Sequence, residues 1–222
     1  MIKHWEIFCD FDGTITYNDV GDVLFETFAN SEYQRALKDW QAGRISSRRN
    51  LERVCAAARV TRTQLEQLCD SQKIDPTFSE LVEYCRSRTY PLIVLSDGLD
   101  FYIKRILENY HFGYLEVRAN HLCFVNTNRI VPQFPYWQHT CGACANCKGY
   151  HLRQSREQGN YTIYIGDGLS DRCAVKEADV LFSKGELMEY CQRHQVHFFP
   201  YSNFNDIVQK LQELENRETQ IN

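Results

Sequence analysis

Short apolar runs alternate with stretches of helical spacing along the chain. Strand-like runs lead into polar turns in "WEIFCD", "YPLIVLSDG" and "NYTIYIGDGLSD", and two more short runs follow in "ADVLFS" and "VHFFPY". Between about residues 18 and 88, apolar side chains recur three and four positions apart, which predicts several amphipathic helices. Gly43 and Pro76 interrupt this region, and Ser46 is a candidate N-cap.

Strands that alternate with helices favour an α/β fold, with a parallel sheet covered by helices on both faces. Residues 114–140 differ, because "YLEVRAN", "HLCFVN" and "RIVPQF" predict short strands or a hairpin before a helix that starts near Lys148. Ligands of a parallel sheet bind outside the carboxyl ends of its strands. If their strands are neighbours, the polar clusters at 10–14, 96–98 and 166–171 will open onto one crevice.

The composition is typical of a globular protein that binds neither nucleic acid nor membrane. Its 222 residues suffice for one α/β domain with a smaller insert, and hydrophobic residues make up 43% of them. The net charge of −4 is spread along the chain, without a basic stripe for a nucleic-acid backbone. No segment approaches about 18 uninterrupted apolar residues, and "MIKHWEIFCD" lacks a long apolar leader. We therefore expect a cytoplasmic protein.

Two carboxylates, Asp10 and Asp12, follow the first predicted strand. A carboxylate can attack phosphorus as a nucleophile and form an aspartyl phosphate. A second carboxylate can protonate the leaving oxygen and then act as base for the hydrolytic water. The first strand is therefore expected to end in a phosphoryl-transfer site, with Asp10 and Asp12 as its catalytic pair.

An anionic substrate that faces an anionic nucleophile needs compensating charge, which Mg²⁺ commonly supplies. Asp10, Asp167 and the backbone carbonyl of Asp12 are the candidate metal ligands. A hydroxyl, nearby backbone N–H groups and a lysine could hold the phosphoryl oxygens. The candidates for that role are Thr14, Ser96, Asp97, Gly98 and Lys148.

Each of these motifs is ordinary when taken alone. Asp-x-Asp-Gly and Ser-Asp-Gly are common turns, and a lone lysine is most often solvated. Their order favours a site: a strand then "DFDGT", a strand then Ser96, a lysine, and a strand then "GDGLSD". Four independent accidents in this order are improbable.

The segments "DFDGT", "LSDG", Lys148 and "GDGLSD" resemble the four motifs of the haloacid dehalogenase superfamily of phosphohydrolases. The resemblance implies a Rossmann-like core at residues 1–17 and 89–222 and a helical cap at 18–88, as in the phosphoserine-phosphatase-like branch. It also implies Asp10 as nucleophile, Asp12 as acid and base, and Asp171 as a supporting residue that orients Lys148 or a metal-bound water.

Within this branch, the chain resembles most closely enzymes that act on 2-hydroxy-3-keto-5-methylthiopentenyl 1-phosphate in methionine salvage. Ser170 stands where a phosphoserine phosphatase would carry asparagine. The alternative substrates are phosphoserine, phosphoethanolamine or phosphocholine, and sugar phosphates, and a non-catalytic phosphate- or metal-binding protein is an alternative of another class. The candidate cap residues for substrate contact are Tyr17, Asp19, Arg44 and Arg48.

Ten cysteines occur in the chain, and three of them form a C-x2-C-x2-C cluster just before Lys148. These three, Cys141, Cys144 and Cys147, could bind Zn²⁺ with His139 or His151 as a fourth ligand. Reduced thiols without a metal, or a disulfide, are the alternatives. The other seven cysteines, Cys173 among them, fall at positions that otherwise predict core. A bound metal would clamp the loop that carries Lys148.

Overall fold

A computed structural model describes residues 4–221, leaving aside the side chains of Asn30 and residues 218–221. Seven strands of the described chain form one sheet in the order β4-β3-β2-β1-β5-β6-β7. All neighbouring strands are parallel except β3 and β4, which form an antiparallel hairpin. The predicted α/β fold with a mostly parallel sheet is confirmed.

The strands and helices follow the alternation that the sequence predicts. The strands are β1 Trp5–Cys9, β2 Leu92–Leu99, β3 Glu116–Phe124, β4 Ile130–Gln133, β5 Tyr161–Gly166, β6 Val180–Ser183 and β7 Phe199–Pro200. The helices are α1 Val20–Phe28, α2 Asn30–Gln41, α3 Ser47–Ala57, α4 Arg62–Asp70, α5 Phe78–Ser87, α6 Asp100–Asn109, α7 Lys148–Glu157, α8 Gly185–Arg193 and α9 Phe204–Ile221. Two 3-10 turns span Trp137–His139 and Leu169–Cys173.

The central strand β1 is buried on both faces. Ile7 and Cys9 pack into the larger apolar core, whereas Phe8 packs into a second core on the other face, with Tyr164 and Leu152. Successive side chains of a strand point to opposite faces, so a strand covered on both sides must be apolar throughout. This requirement explains why "IFC" carries no polar residue before Asp10.

The predicted cap region contains five helices, and they do not all pack in the same place. Ser46 accepts a hydrogen bond from the backbone N–H of Arg49, so it is the N-cap of α3, as predicted. Phe78 of α5 meets Phe204 of α9 with ring centroids 5.1 Å apart. The division into core and cap stays a prediction.

The second strand differs from its predicted end. The Ser-Asp-Gly segment was expected to form a turn after residue 95, but β2 continues through it to Leu99. Pairing with β3 is irregular after Leu95 and resumes at Leu99 opposite Asn120. The Asn120 side chain donates to the carbonyl of Asp97 at 2.7 Å, so a side-chain hydrogen bond replaces the backbone pairing of β2 with β3 there.

Within residues 4–221, no helix has both the length and the apolar character needed to cross a bilayer.

Replacing Ile163 by alanine is expected to lower the free energy of unfolding by about 2–5 kcal/mol, because this side chain is fully buried in the centre of the sheet. Urea denaturation measures the change. Val125→Ala is the matched control, since Val125 is 57% exposed and its loss should change the free energy by about 0.5 kcal/mol or less. Equal effects of the two substitutions would contradict the assigned core.

Candidate active site

Three polar clusters meet at the carboxyl ends of β2, β1 and β5. The three strands are neighbours with β1 in the middle, so the expected crevice exists. Asp10 follows β1, the Ser-Asp-Gly segment ends β2, and Asp167 follows β5. Lys148 reaches the same place from the first position of α7.

Asp10 is a buried carboxylate in contact with a buried ammonium group. Lys148 Nζ lies 2.6 Å from Asp10 Oδ1, and the backbone N–H of Phe11 donates to the same oxygen at 2.8 Å. Burial raises the pKa of Asp10, and the charge of Asp171 raises it further. The ion pair offsets part of this cost, because an opposite charge favours the ionised carboxylate.

Lys148 is held between two carboxylates, with 1% of its surface exposed. Its ammonium group also pairs with Asp171 and lies 3.3 Å from the Ser170 hydroxyl oxygen. Burial by itself lowers the pKa of Lys148, but the charges of Asp10 and Asp171 outweigh burial and raise it above the usual value. The lysine is therefore a fixed positive charge.

Asp171 orders the turn after β5. One of its oxygens accepts the backbone N–H groups of Asp167 and Gly168, each at 2.9 Å. The other accepts the hydroxyl of Tyr164 at 2.5 Å and pairs with Lys148. A single carboxylate thus ties Lys148 to the backbone that presents Asp167.

Asp12 is anchored on both of its oxygens. Oδ1 accepts the N–H of Val20 at the start of α1, and Oδ2 accepts the Tyr102 hydroxyl, both at 2.9 Å. The Ser96 hydroxyl oxygen lies 3.5 Å from Oδ2. Burial raises the pKa of Asp12 to about 6 in spite of these hydrogen bonds. A carboxylic acid with a pKa near the working pH is suited to proton transfer.

Asp10, Asp167 and Asp171 bring carboxylate oxygens within 4.8 Å of one another. Burial, and then the charge of Asp171, raises the pKa of Asp167 to about 6. Clustered oxygen ligands of this kind suit a hard divalent cation such as Mg²⁺. Thr14 differs from its predicted role, because its hydroxyl donates to Asp167 Oδ1 at 2.7 Å. It positions the candidate metal ligand instead of holding phosphate.

The Ser-Asp-Gly segment faces the crevice with its hydroxyl and backbone. The Gly98 N–H donates to the Ser96 hydroxyl at 2.9 Å, and a Cβ on Gly98 would overlap the Tyr102 hydroxyl. The Asp97 carboxylate accepts the backbone N–H groups of Ala145 at 3.0 Å and Asn146 at 2.5 Å. Asp97 therefore fixes the loop before Lys148 through its carboxylate, and its role in phosphate binding stays a prediction.

A cavity of about 490 Å³ reaches under α1, α2 and α3, and its wall includes Asp10, Asp12, Lys148, Asp167 and the Ser-Asp-Gly segment. The far end is lined by aromatic and aliphatic side chains, namely Tyr17, Phe25, Tyr33, Leu37, Trp40 and Leu51. Acidic side chains are also present, at Asp19, Asp22 and Glu186. Of the lining residues that the structure describes, Lys148 is the one with a positively charged side chain.

Two of the four predicted cap residues line this cavity, and two do not. Tyr17 and Asp19 are at its wall. Arg44 pairs with Asp39 at 2.7 Å and is 60% exposed, away from the cavity. Arg48 pairs with Glu52 and lies over the Trp137 ring, 4.5 Å from its centroid. The prediction for both arginines was wrong, because carboxylates on their own or the preceding helix hold them outside.

The cysteine cluster lies behind Lys148. The Sγ atom of Cys141 lies 3.4 Å from that of Cys144, and Cys173 Sγ lies 3.5 Å from Cys141 and 3.6 Å from Cys144. Cys147 completes the group, in which all four sulfur atoms lie within 4.8 Å of one another. The fourth member is thus Cys173, at a position where the sequence pattern predicts core.

Neither histidine proposed as a fourth ligand joins this cluster. His139 stacks on the ring of Tyr150 with centroids 4.6 Å apart. His151 Nε2 bonds the side-chain oxygen of Asn146 at 2.7 Å, and burial lowers the pKa of His151 to about 4. The prediction of a histidine ligand was wrong because both rings have other partners.

The chain resembles known phosphatases over nearly its whole length. Residues 6–198 match the family model described as Putative Phosphatase. A relative from Geobacillus kaustophilus (strain HTA426), named 2-hydroxy-3-keto-5-methylthiopentenyl-1-phosphate phosphatase, is 30% identical over 226 residues and covers 97% of this chain and 99% of its own. A Schizosaccharomyces pombe (strain 972 / ATCC 24843) protein named Pdp3-interacting factor 1 is also 30% identical, over 224 residues, covering 96% of each chain.

The fold is shared with solved structures of phosphoserine phosphatases. A structure described as a phospho-aspartyl intermediate analogue of phosphoserine phosphatase superimposes with a TM-score of 0.71 at 18% identity, covering 94% of this chain and 98% of that one. At this identity the match shows the fold. Together with the family match, it confirms the resemblance seen in the four motifs. The chain belongs to the Putative Phosphatase family, and it is a phosphatase that hydrolyses phosphate esters.

Proposed function

We propose that this phosphatase is a Mg²⁺-dependent phosphomonoesterase that acts through an acyl phosphate formed on Asp10, with 2-hydroxy-3-keto-5-methylthiopentenyl 1-phosphate as substrate. The observation that carries the mechanism is the buried Asp10 carboxylate, which lies 2.6 Å from Lys148 at the bottom of the cavity. A substrate phosphate that enters there would meet a nucleophile, a fixed positive charge and the Ser96 hydroxyl together.

In the first step, Asp10 Oδ2 attacks phosphorus, because the contacts to Lys148 and Phe11 both occupy Oδ1. The bond from phosphorus to the ester oxygen breaks, and Asp12 gives its proton to that leaving oxygen. In the second step, Asp12 takes a proton from water, which attacks phosphorus and releases phosphate and free Asp10. The pKa of Asp12, about 6, suits both transfers.

The donor set fits Mg²⁺. Asp10 and Asp167 would contribute carboxylate oxygens, and the backbone carbonyl of Asp12 is the third candidate. When bound, Mg²⁺ would neutralise charge on the transferring phosphoryl group. Three carboxylates here face one ammonium group, and burial followed by that excess of negative charge raises the pKa values of Asp10 and Asp167.

The cavity wall supports an uncharged, apolar leaving group. A methylthio chain could pack against Phe25, Leu37 and Trp40 at the far end. Phosphoserine would bring a carboxylate, yet Lys148 is the one cationic side chain among the described lining residues, and it belongs to the phosphate end. An unpaired carboxylate in such a cavity is unfavourable. The Geobacillus relative is named for a phosphate ester with such a methylthio chain, which agrees with an apolar leaving group.

A second candidate substrate class is a phosphorylated amino alcohol, such as phosphoethanolamine or phosphocholine. Asp19 and Asp22 line the same cavity as Tyr17, Tyr33 and Trp40. Carboxylates and aromatic faces together attract ammonium groups. Both substrate classes are small phosphate esters, and the negative net charge argues against a nucleic-acid substrate. We propose action on free metabolites in the cytoplasm, away from membranes.

Phosphate release from a panel of esters in the presence of Mg²⁺ tests this function. The panel contains the methylthiopentenyl phosphate, phosphoserine, phosphoethanolamine, phosphocholine and a sugar phosphate. We expect the highest kcat/KM for the first, and a rate for Asp10→Asn below ~0.1% of wild type, as for loss of other nucleophiles.

The control for the panel is Asp70→Asn, because Asp70 forms an exposed pair with Arg105 and should leave the rate unchanged. Preference for an amine ester would select the second class. Preference for phosphoserine would contradict the argument that the described cavity lining offers no cationic side chain for the substrate carboxylate. Turnover by Asp10→Asn at the wild-type rate would remove the mechanism.

Gly98→Ala tests the close packing around Asp12. The added Cβ would overlap the Tyr102 hydroxyl, which donates to Asp12 Oδ2 at 2.9 Å, so it should displace the acid and lower kcat on the order of 100-fold. In a Tyr102→Phe background the hydroxyl is absent, and the same substitution should cost much less. The double-mutant cycle gives this difference as a coupling free energy between Gly98 and Tyr102. Additive losses would show that Gly98 acts on kcat by another route.

A further inference from the structure

Four cysteines from two distant parts of the chain converge behind the active site. The four-cysteine cluster consists of Cys141, Cys144, Cys147 and Cys173, and all four sulfur atoms lie within 4.8 Å of one another. Three come from the loop before α7, and the fourth ends the 3-10 turn Leu169–Cys173. Neither the family description nor the names of the relatives assigns a role to it.

Three of the sulfur spacings match one face of a tetrahedron, and the fourth sulfur lies within 4.8 Å of the others. Zinc binds thiolate sulfur at about 2.3 Å in tetrahedral geometry, which places the sulfur atoms about 3.8 Å apart. The separations of 3.4, 3.5 and 3.6 Å among Cys141, Cys144 and Cys173 are close to this value. A disulfide would need about 2.05 Å between two sulfur atoms and would leave the others out.

We propose that the four-cysteine cluster binds one Zn²⁺ ion through four thiolates. Soft sulfur ligands in a tetrahedral arrangement select zinc over Mg²⁺, which prefers oxygen. Cys144 and Cys147 are buried while Cys141 is exposed, which gives an ion a path of entry.

The ion would join the two segments that hold the catalytic ion pair. Cys147 immediately precedes Lys148, and Cys173 lies two residues after Asp171. The two segments are packed closely, because a Cβ on Gly149 would overlap the backbone carbonyl of Cys173. The zinc would therefore fix the distance from Lys148 to Asp171 and act as a positioning element.

The same loop reaches the helical region. The backbone N–H of Ser47, the first residue of α3, donates to the carbonyl of Ala143 at 2.7 Å. Ala143 lies between Cys141 and Cys144, and the loop around it forms turns without helix or strand. A metal would supply the order that regular secondary structure does not supply here. Its effect on turnover rests on the proposed function, whereas zinc binding itself does not.

Metal content of the chain purified under reducing conditions is the first test. Mass spectrometry of the dissolved protein should find one zinc per chain, and Cys173→Ser should hold much less. The matched control is Cys123→Ser, because Cys123 lies on β3 outside the cluster and its loss should leave zinc unchanged. Wild-type protein without zinc, or full zinc in Cys173→Ser, would overturn the site.

A measurement on the wild-type protein avoids variants that fail to fold. An organomercurial that titrates the thiols should release the zinc, which a metallochromic dye detects, and turnover with Mg²⁺ should then fall on the order of 100-fold. Thiol removal of the mercurial followed by Zn²⁺ should restore it. Turnover unchanged after zinc release would overturn the positioning role. A failure of the proposed function would show instead as an active Asp10→Asn variant with its zinc intact.

Discussion

The arrangement of the site depends on one buried ammonium group between two carboxylates. Lys148 contacts Asp10 and Asp171, and the three side chains are 0–5% exposed. Burying these charges separately would cost several kcal/mol for each ion, and only their mutual contact makes the burial tolerable. Removal of Lys148 would leave two unpaired carboxylates in the core, so Asp10, the lysine and the turn after β5 must form together.

The sheet topology explains why these groups can meet. Asp10, Ser96 and Asp167 are far apart in sequence, but β2, β1 and β5 are adjacent and parallel, so the ends of these strands share one edge. The helices between the strands then decide what can enter. The apolar side chains of α1 to α3 line the cavity opposite a polar end that is fixed by the sheet.

Much of this arrangement could be predicted from the residues. Asp10, Asp12 and Asp167 each follow an apolar run, and a parallel sheet gathers such positions at one edge. Tyr102 was not predicted to contact Asp12, because a tyrosine at helical spacing in α6 is usually core packing. Its position four residues after Gly98 was the available signal.

The missed or wrong assignments share a physical reason, which is that contacts decided by tertiary packing leave no local pattern. Arg44 and Arg48 were expected to meet substrate, but nearby Asp39 and Glu52 hold them. Cys173 was predicted to be a core residue, because the three other cysteines of its cluster lie 26 or more residues earlier in the chain. The positions of motifs at strand ends can be predicted from sequence. The contacts of a side chain that has several possible partners can be assigned only from the folded structure.

The most direct test of the account is to identify the residue that carries the phosphoryl group during turnover. Substrate labelled with radioactive phosphate would be mixed with enzyme and Mg²⁺, quenched in acid within the first turnover, and digested for peptide mapping. We predict a hydroxylamine-labile label on the peptide that contains Asp10, and none in Asp10→Asn. Release of phosphate without a labelled enzyme, or a label on a peptide that lacks Asp10, would contradict it.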